Sequence, residues 1–210
     1  MIQIPEVDLS GILPAIILSA AGVVTMVAGL FIKNRAATIG GIISAAAVLL
    51  AFAANAPLRA INKVGFVSMV TLDGYTWFFN LLILFALGMT ILTSLRYLSD
   101  EGMDLYLYFV LLMFEGTGMM FMVSGNHLLT IFIGLETLSI SVYVLTGVLS
   151  KSSKSSEAAL KYLILGAFSS GLFLYGAALL YGASGSLGLP GLAKYFQSGS
   201  FSLMGVVGMG

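Results

Sequence analysis

Long apolar stretches separated by short polar segments dominate the pattern of this chain. Six stretches have the length of about 20 apolar residues that an α-helix needs to cross the hydrocarbon core of a bilayer. They fall at residues 12–32, 37–56, 75–95, 105–124, 127–149 and 158–181. A membrane β-strand would instead alternate apolar and polar side chains over about 10 residues. The pattern therefore predicts an all-α, polytopic membrane protein with six complete transmembrane helices.

The two ends of the chain differ in character. Residues 201–210 open a further apolar run that no polar flank terminates, which predicts the start of a seventh helix with roughly half a span missing. The opening sequence MIQIPEVDL is acidic, whereas a cleaved signal peptide begins with positive charge. We therefore expect the first helix to be retained.

Composition excludes most other classes of protein. Hydrophobic residues make up 59% of the 210-residue chain and charged residues 9%, with nine Lys and Arg against nine Asp and Glu. A soluble domain carries about 25% charged residues. The chain is therefore neither a soluble enzyme nor a nucleic-acid binder, and the lipid bilayer is its expected environment. It has no Cys and one His, so we expect no metal or redox centre in it.

Short cytoplasmic loops collect Lys and Arg, and this bias predicts the orientation. With the N-terminus outside, the inner loops hold Lys33, Arg35, Arg96, Lys151 and Lys154, and the outer loops hold Arg59, Lys63 and Lys194. The excess on one side favours a periplasmic N-terminus. The longer connections at residues 57–74 and 182–200 then lie at the outer surface.

Three ionisable residues lie within predicted spans: Glu115, Glu136 and Lys161. A charge near the bilayer centre costs at least about 2.5–3.5 kcal/mol on insertion scales, so each is a candidate functional group. Both glutamates lie about ten residues, or roughly 15 Å, from the turn at residues 125–127, and therefore at similar depth. If they face one another, repulsion makes one of them a proton carrier; if they face different helices, each is a separate site.

Structural roles compete with functional ones at all three positions. Glu136 could accept a hydrogen bond from Thr137 or Ser139, or pair with a remote cation. Glu115 is followed by Gly-Thr-Gly, which permits close helix approach, so a protonated carboxyl that only packs is an equal alternative. Lys161 lies about one turn inside its helix, with Glu157 at the i−4 position, and could simply extend to the interface.

Three polar residues at helix starts complete the candidates. His127 opens the fifth span, where a solvated interfacial role competes with proton exchange. Asp73 precedes the aromatic start of the third span, and Ser156 precedes Glu157 in the sixth, so both are predicted to be N-terminal caps.

The segments GNHLLTIFIGLETLSISVYVLTG and SSEAALKYLILGAFSSGLFLYGAALLYGASGS resemble the antiporter-like membrane subunits of respiratory complex I, NADH–quinone oxidoreductase. The match runs over residues 105–192 and is closest to the subunit N branch. Sister subunits L and M usually carry Trp where this chain has Leu135, and they lack the sequence EAALKY in the sixth helix. The resemblance implies a fold of roughly fourteen helices built on inverted repeats.

By this resemblance, Glu136 corresponds to the helix-five glutamate and Lys161 to the helix-six lysine of a central file that translocates protons. Glu115 departs from the family pattern, so its part in proton transfer stays open. The family's helix-seven lysine has no counterpart before Gly210, and an isolated chain of this length is therefore not expected to pump. Residues 1–104 would be N-terminal helices, and residues 105–210 the start of the proton-translocating module.

The resemblance also implies which cofactors and partner subunits accompany the chain and in which membrane it lies. NADH, FMN, iron–sulfur clusters and quinone are expected in partner subunits, and neighbouring antiporter-like and small membrane subunits are the expected partners in a bacterial inner membrane. Two alternatives stay open: a subunit of a cation/proton antiporter, and a membrane scaffold that transports nothing.

Overall fold

The computed structural model describes residues 9–32, 36–100, 106–149, 152–199 and 202–209, with residues 96 and 98–100 described by their backbone alone. Six helices in this part of the chain are long and apolar enough to cross a membrane. They are α1 (Leu13–Phe31), α2 (Ala36–Asn55), α3 (Gly74–Asp100), α4 (Tyr106–Ser124), α5 (Leu128–Thr146) and α6 (Ser153–Ser184). The predicted all-α architecture with six spans is confirmed.

Helix starts follow from local chemistry. Asp73 Oδ1 accepts a hydrogen bond from the Thr76 backbone N–H at 2.8 Å, which caps α3 as predicted. The predicted start of α6 was wrong, because the helix begins at Ser153 and its cap is Ser152, not Ser156. The Ser152 hydroxyl oxygen accepts a hydrogen bond from Ser155 N at 3.4 Å, which is the expected N-cap interaction.

Short elements connect the spans at the end where α4 turns into α5. A 3-10 turn at Ala56–Ala60 follows α2, and strands β1 (Lys63–Gly65) and β2 (Val70–Leu72) then form an antiparallel hairpin. Asn126 joins this hairpin to the connection that follows α6: its N–H donates to Met69 O and its carbonyl accepts from Leu189 N, both at 2.9 Å. The α4–α5 turn is thereby tied to both neighbouring connections.

Helix α4 lies at the centre of the described bundle and contacts α1, α2, α3 and α5. Half of its span is buried, against 11% of the α5 span and 6% of the α6 span. Phe109 and Met113 of α4 are fully buried against α1 and α3 residues such as Leu18 and Leu84. Since lipid is as apolar as these side chains, close packing is what holds the helices together. The α5–α6 pair lies at the edge.

The last apolar run forms a short helix among the described residues. After α7 (Leu189–Gln197), helix α8 (Leu203–Val207) packs on α6. A Cβ at Gly208 would lie 3.0 Å from Gly176 O, so the two backbones are in contact.

Several residues used in the predictions lie outside the described part of the chain. They are residues 1–8, Lys33, Arg35, residues 101–105, Lys151, Ser200, Phe201 and Gly210, together with the side chain of Arg96. The orientation in the membrane stays a prediction.

Candidate functional site

Helices α5 and α6 run antiparallel and meet along one regular seam. Gly147 contacts Ala159 near the connection, and the Tyr143 and Tyr162 rings follow with centroids 4.9 Å apart. Further along, the Phe132 and Phe173 rings stack at 5.7 Å. Neighbouring seam residues of each helix are separated by three or four positions, or by about two helical turns, so each comes from one face of its helix.

Glu136 lies on this seam, between the tyrosine and phenylalanine pairs. Its Oε1 accepts a hydrogen bond from the Ser170 hydroxyl of α6. Both side chains are half-buried. The bond joins a carboxylate near the middle of one span to a hydroxyl near the middle of the next.

The local hydrogen bond from Thr137, one of the structural alternatives for Glu136, is not formed. Thr137 Oγ1 donates to the Ile133 carbonyl of its own helix at 2.7 Å, which leaves the carboxylate to a residue 34 positions away. Sequence reasoning missed Ser170. The only signal was a Ser-Ser pair inside an apolar helix, and the α5–α6 register is needed to place it opposite Glu136.

Glu115 and Glu136 do not face one another. Gly134 contacts the α4 backbone at Gly118 and Met122, so the Gly134 side of α5 faces α4. Successive helix residues are turned by about 100°, so Glu136, two positions on, points to the opposite side. Each carboxylate is therefore a separate site.

Glu115 lies at the edge of the α4 surface that meets α5. The glycines beside it do allow close approach: Gly116 contacts Leu87 and Leu18, and Gly118 contacts the α5 backbone. No side chain in the described ranges forms a hydrogen bond or ion pair with this half-buried carboxyl. The packing alternative and the functional one both fit this environment.

Lys161 forms the ion pair expected from its spacing. Its Nζ lies 2.5 Å from Glu157 Oε1, and the two side chains are 70% and 64% exposed. Because α6 begins at Ser153, Lys161 is the ninth helical residue and lies more than two turns in, deeper than the single turn predicted. It precedes Ser170 by nine residues, or roughly 14 Å of helix. The described residues therefore do not bring Lys161 to Glu136.

His127 is the N-cap of α5. Its Nδ1 accepts a hydrogen bond from Leu129 N at 3.2 Å, and its backbone pairs with Gly188 in an isolated antiparallel bridge. It is half-buried at the junction of two connections. The structure therefore gives it a capping role that the sequence did not predict.

No group of three or more His, Cys, Asp or Glu side chains that could hold a metal ion occurs in the described part of the chain. What the arrangement offers chemically is a carboxylate beside a hydroxyl that donates a hydrogen bond to it.

Comparison with known proteins identifies the family. The family model described as NADH:quinone oxidoreductase/Mrp antiporter, transmembrane, matches residues 125–209. NADH-quinone oxidoreductase subunit N 2 of Roseiflexus castenholzii is 37% identical over 202 residues, which are 96% of this chain and 41% of that protein. The chain belongs to this antiporter-like membrane subunit family. Subunit N of Chloroflexus aggregans is 36% identical over 94% of this chain and 40% of its own length.

Solved structures agree with this membership. A chain of respiratory complex I from Thermus thermophilus superposes with a TM-score of 0.70 at 27% identity, over 93% of this chain and 43% of that one. A chain of the archaeal membrane-bound sulfane sulfur reductase gives a TM-score of 0.80 at 21% identity, over 96% and 43%, which shows a shared fold. The resemblance found from the sequence is confirmed, and the protein is a multi-pass membrane protein. It spans less than half the length of the curated relatives named here.

Proposed function

We propose that this chain belongs to a proton-translocating membrane subunit of an NADH–quinone oxidoreductase and that Glu136 carries the proton. The observation that supports this most directly is the half-buried carboxylate at mid-span, hydrogen-bonded by the neighbouring helix. An ionisable group at that depth is expensive to insert, and functional groups account for most such cases.

In this proposal, the approach and withdrawal of a nearby cation make Glu136 release and take up a proton. A cation brought to about 4 Å favours the ionised carboxylate by roughly 4 kcal/mol at an effective dielectric constant of 20. That energy corresponds to about a thousandfold change in proton affinity. A cation that approaches expels the proton, and one that withdraws allows Glu136 to take up another.

Lys161 is proposed as a relay residue on the same route. Its spacing from Ser170 along α6 is too long for direct proton transfer to Glu136, so the route needs intermediate carriers such as water or groups of other helices. Glu115 is proposed as a second protonatable group that does not exchange with Glu136 directly, because the two lie on different helix faces.

The redox chemistry is proposed to lie in partner subunits. The sequence carries no nicotinamide, flavin or quinone motif, and NADH, FMN, iron–sulfur clusters and quinone would be held elsewhere in the complex. Neighbouring antiporter-like and small membrane subunits are the proposed partners. Solved relatives in multisubunit respiratory complexes support such an assembly.

The test is Glu136→Gln in the assembled complex, reconstituted into vesicles with NADH and quinone as substrates. We expect the proton-to-electron stoichiometry to fall sharply, because Gln cannot exchange a proton at this position. Thr137→Ala is the matched control, since the Thr137 hydroxyl bonds within its own helix. Unchanged stoichiometry in Glu136→Gln would contradict the proposal. Weaker assembly with normal stoichiometry would indicate a scaffold.

The family description also names antiporters, which makes sodium/proton exchange the second candidate. Sodium-free buffer separates the two functions. A redox-driven proton translocator keeps its activity there, whereas an antiporter loses the ion that it exchanges.

A further inference from the structure

The Glu136–Ser170 bond is part of the α5–α6 register and is not an isolated contact. The aromatic pair Phe132–Phe173 lies on one side of it and Tyr143–Tyr162 on the other. Both pairs belong to the same seam as Glu136 and Ser170. The two ring pairs, one stacked and one edge-to-face, therefore fix the position along α6 at which a side chain can reach Glu136, and Ser170 occupies it.

Ser170 differs in its hydrogen bond from three other serines in these helices. Ser124, Ser141 and Ser169 each donate to the carbonyl four positions earlier in their own helix. That carbonyl is the default acceptor for a serine in an apolar helix. Ser170 donates across to a carboxylate instead, and a hydrogen bond to a charged acceptor is roughly twice as strong as a neutral one.

On these grounds we propose that Ser170 is the positioning residue for Glu136. Its hydroxyl holds the carboxylate against α6, away from α4, and stabilises the ionised form. The proposal rests on the proposed function of Glu136, and it adds the residue that sets where and how readily Glu136 gives up its proton.

Few other titratable groups face Glu136 from the helices packed on α5. On the α6 seam, Tyr162 contacts Tyr143, and the Lys161–Glu157 pair lies further toward the start of α6. On α4, Glu115 borders the surface that meets the opposite side of α5. Among the described residues, Ser170 is therefore the group that forms a hydrogen bond with the Glu136 carboxylate.

The test compares the pH profile of NADH-driven proton translocation among variants of the assembled complex. Ser170→Ala removes a donor to the charged carboxylate, which favours its protonated form, so the profile should move to higher pH by about one unit. Ser169→Ala is the matched control, because that hydroxyl bonds to Leu165 O of its own helix, and its profile should stay at the wild-type position.

Two further variants keep the test decisive. Ser170→Thr retains a hydroxyl and should restore the wild-type profile. Ser170→Cys nearly matches serine in size but donates weakly, so it should shift the profile in the same direction as Ala even if Ala assembles poorly. A wild-type profile in Ser170→Ala or Ser170→Cys overturns the positioning role, and so does an equal shift in Ser169→Ala.

Glu136→Gln separates the two hypotheses. If it abolishes pumping while Ser170→Ala and Ser170→Cys keep the wild-type profile, only the positioning role fails. If Glu136→Gln leaves the stoichiometry unchanged, the proposed function fails, and any shift in Ser170→Ala then does not act through Glu136. In a third outcome, Ser170→Ala lowers the amount of assembled complex without moving the profile, which overturns the positioning role.

Discussion

A close backbone contact between α4 and α5, at Gly118 and Gly134, gives a quantitative test of the packing. A Cβ at Gly118 would lie 2.6 Å from both Gly134 O and Leu138 N, and a Cβ at Gly134 would lie 2.7 Å from Gly118 O. These neighbours are backbone atoms of another helix and cannot rotate aside. Ordinary contact begins near 3.4 Å, so Gly118→Ala requires α5 to move by about 0.8 Å.

Overpacking of this kind costs about 1–3 kcal/mol. Gly171→Ala is the matched control, because a Cβ there meets nothing within 4 Å and alanine favours the helix by about 0.5–1 kcal/mol. We expect Gly118→Ala to lower the thermal midpoint of the detergent-solubilised protein, and Gly171→Ala to leave it unchanged or raise it.

The measurement is a thermal scan that follows the loss of folded protein at fixed detergent concentration. Equal midpoints for Gly118→Ala and the wild type would refute the packing argument, and so would a larger loss in Gly171→Ala than in Gly118→Ala. Gly134→Ala adds the reciprocal change and should behave as Gly118→Ala does.

Two further predictions concern helix ends and the exposed ion pair. Asp73→Ala removes the cap of α3 and should lower the stability of the protein by about 1 kcal/mol, measured in the same thermal scan. Asp73→Asn should retain most of that stability, because an Asn side chain can also cap a helix. Equal midpoints for the two variants would contradict the capping role. Lys161→Ala removes an i,i+4 ion pair worth about 0.2–0.5 kcal/mol, so the complex should assemble normally. If Lys161 is a relay residue, proton pumping should fall in this variant, but by less than in Glu136→Gln. Full pumping in Lys161→Ala would favour the interfacial role, and Glu157→Ala controls for loss of the pair itself.

Local sequence patterns were sufficient to predict the features that depend on neighbouring residues alone. The six spans follow from runs of apolar residues, because crossing a bilayer needs only length and low polarity. The Asp73 cap follows from a carboxylate at the start of a helix. The same reasoning misplaced the start of α6, since Ser152 and Ser156 are both good caps and local sequence does not choose between them.

The candidate site was predictable in its parts and not in its arrangement. Glu136 and Lys161 were identified from their positions within apolar runs, and the Lys161–Glu157 ion pair from its i,i+4 spacing. Ser170 was missed because it lies on another helix, and the choice between facing and separate carboxylates was left open.

The sequence by itself determined the six apolar spans that the described residues form, which ionisable residues lie within them, and the family to which the chain belongs. Only the tertiary structure decided the rotation of each helix about its axis. Helices α4, α5 and α6 are apolar on nearly every side, so polarity does not indicate which face meets a neighbour. The Gly118–Gly134 contact and the aromatic pairs of α5 and α6 set those rotations, and they turn Glu136 toward Ser170 and away from Glu115.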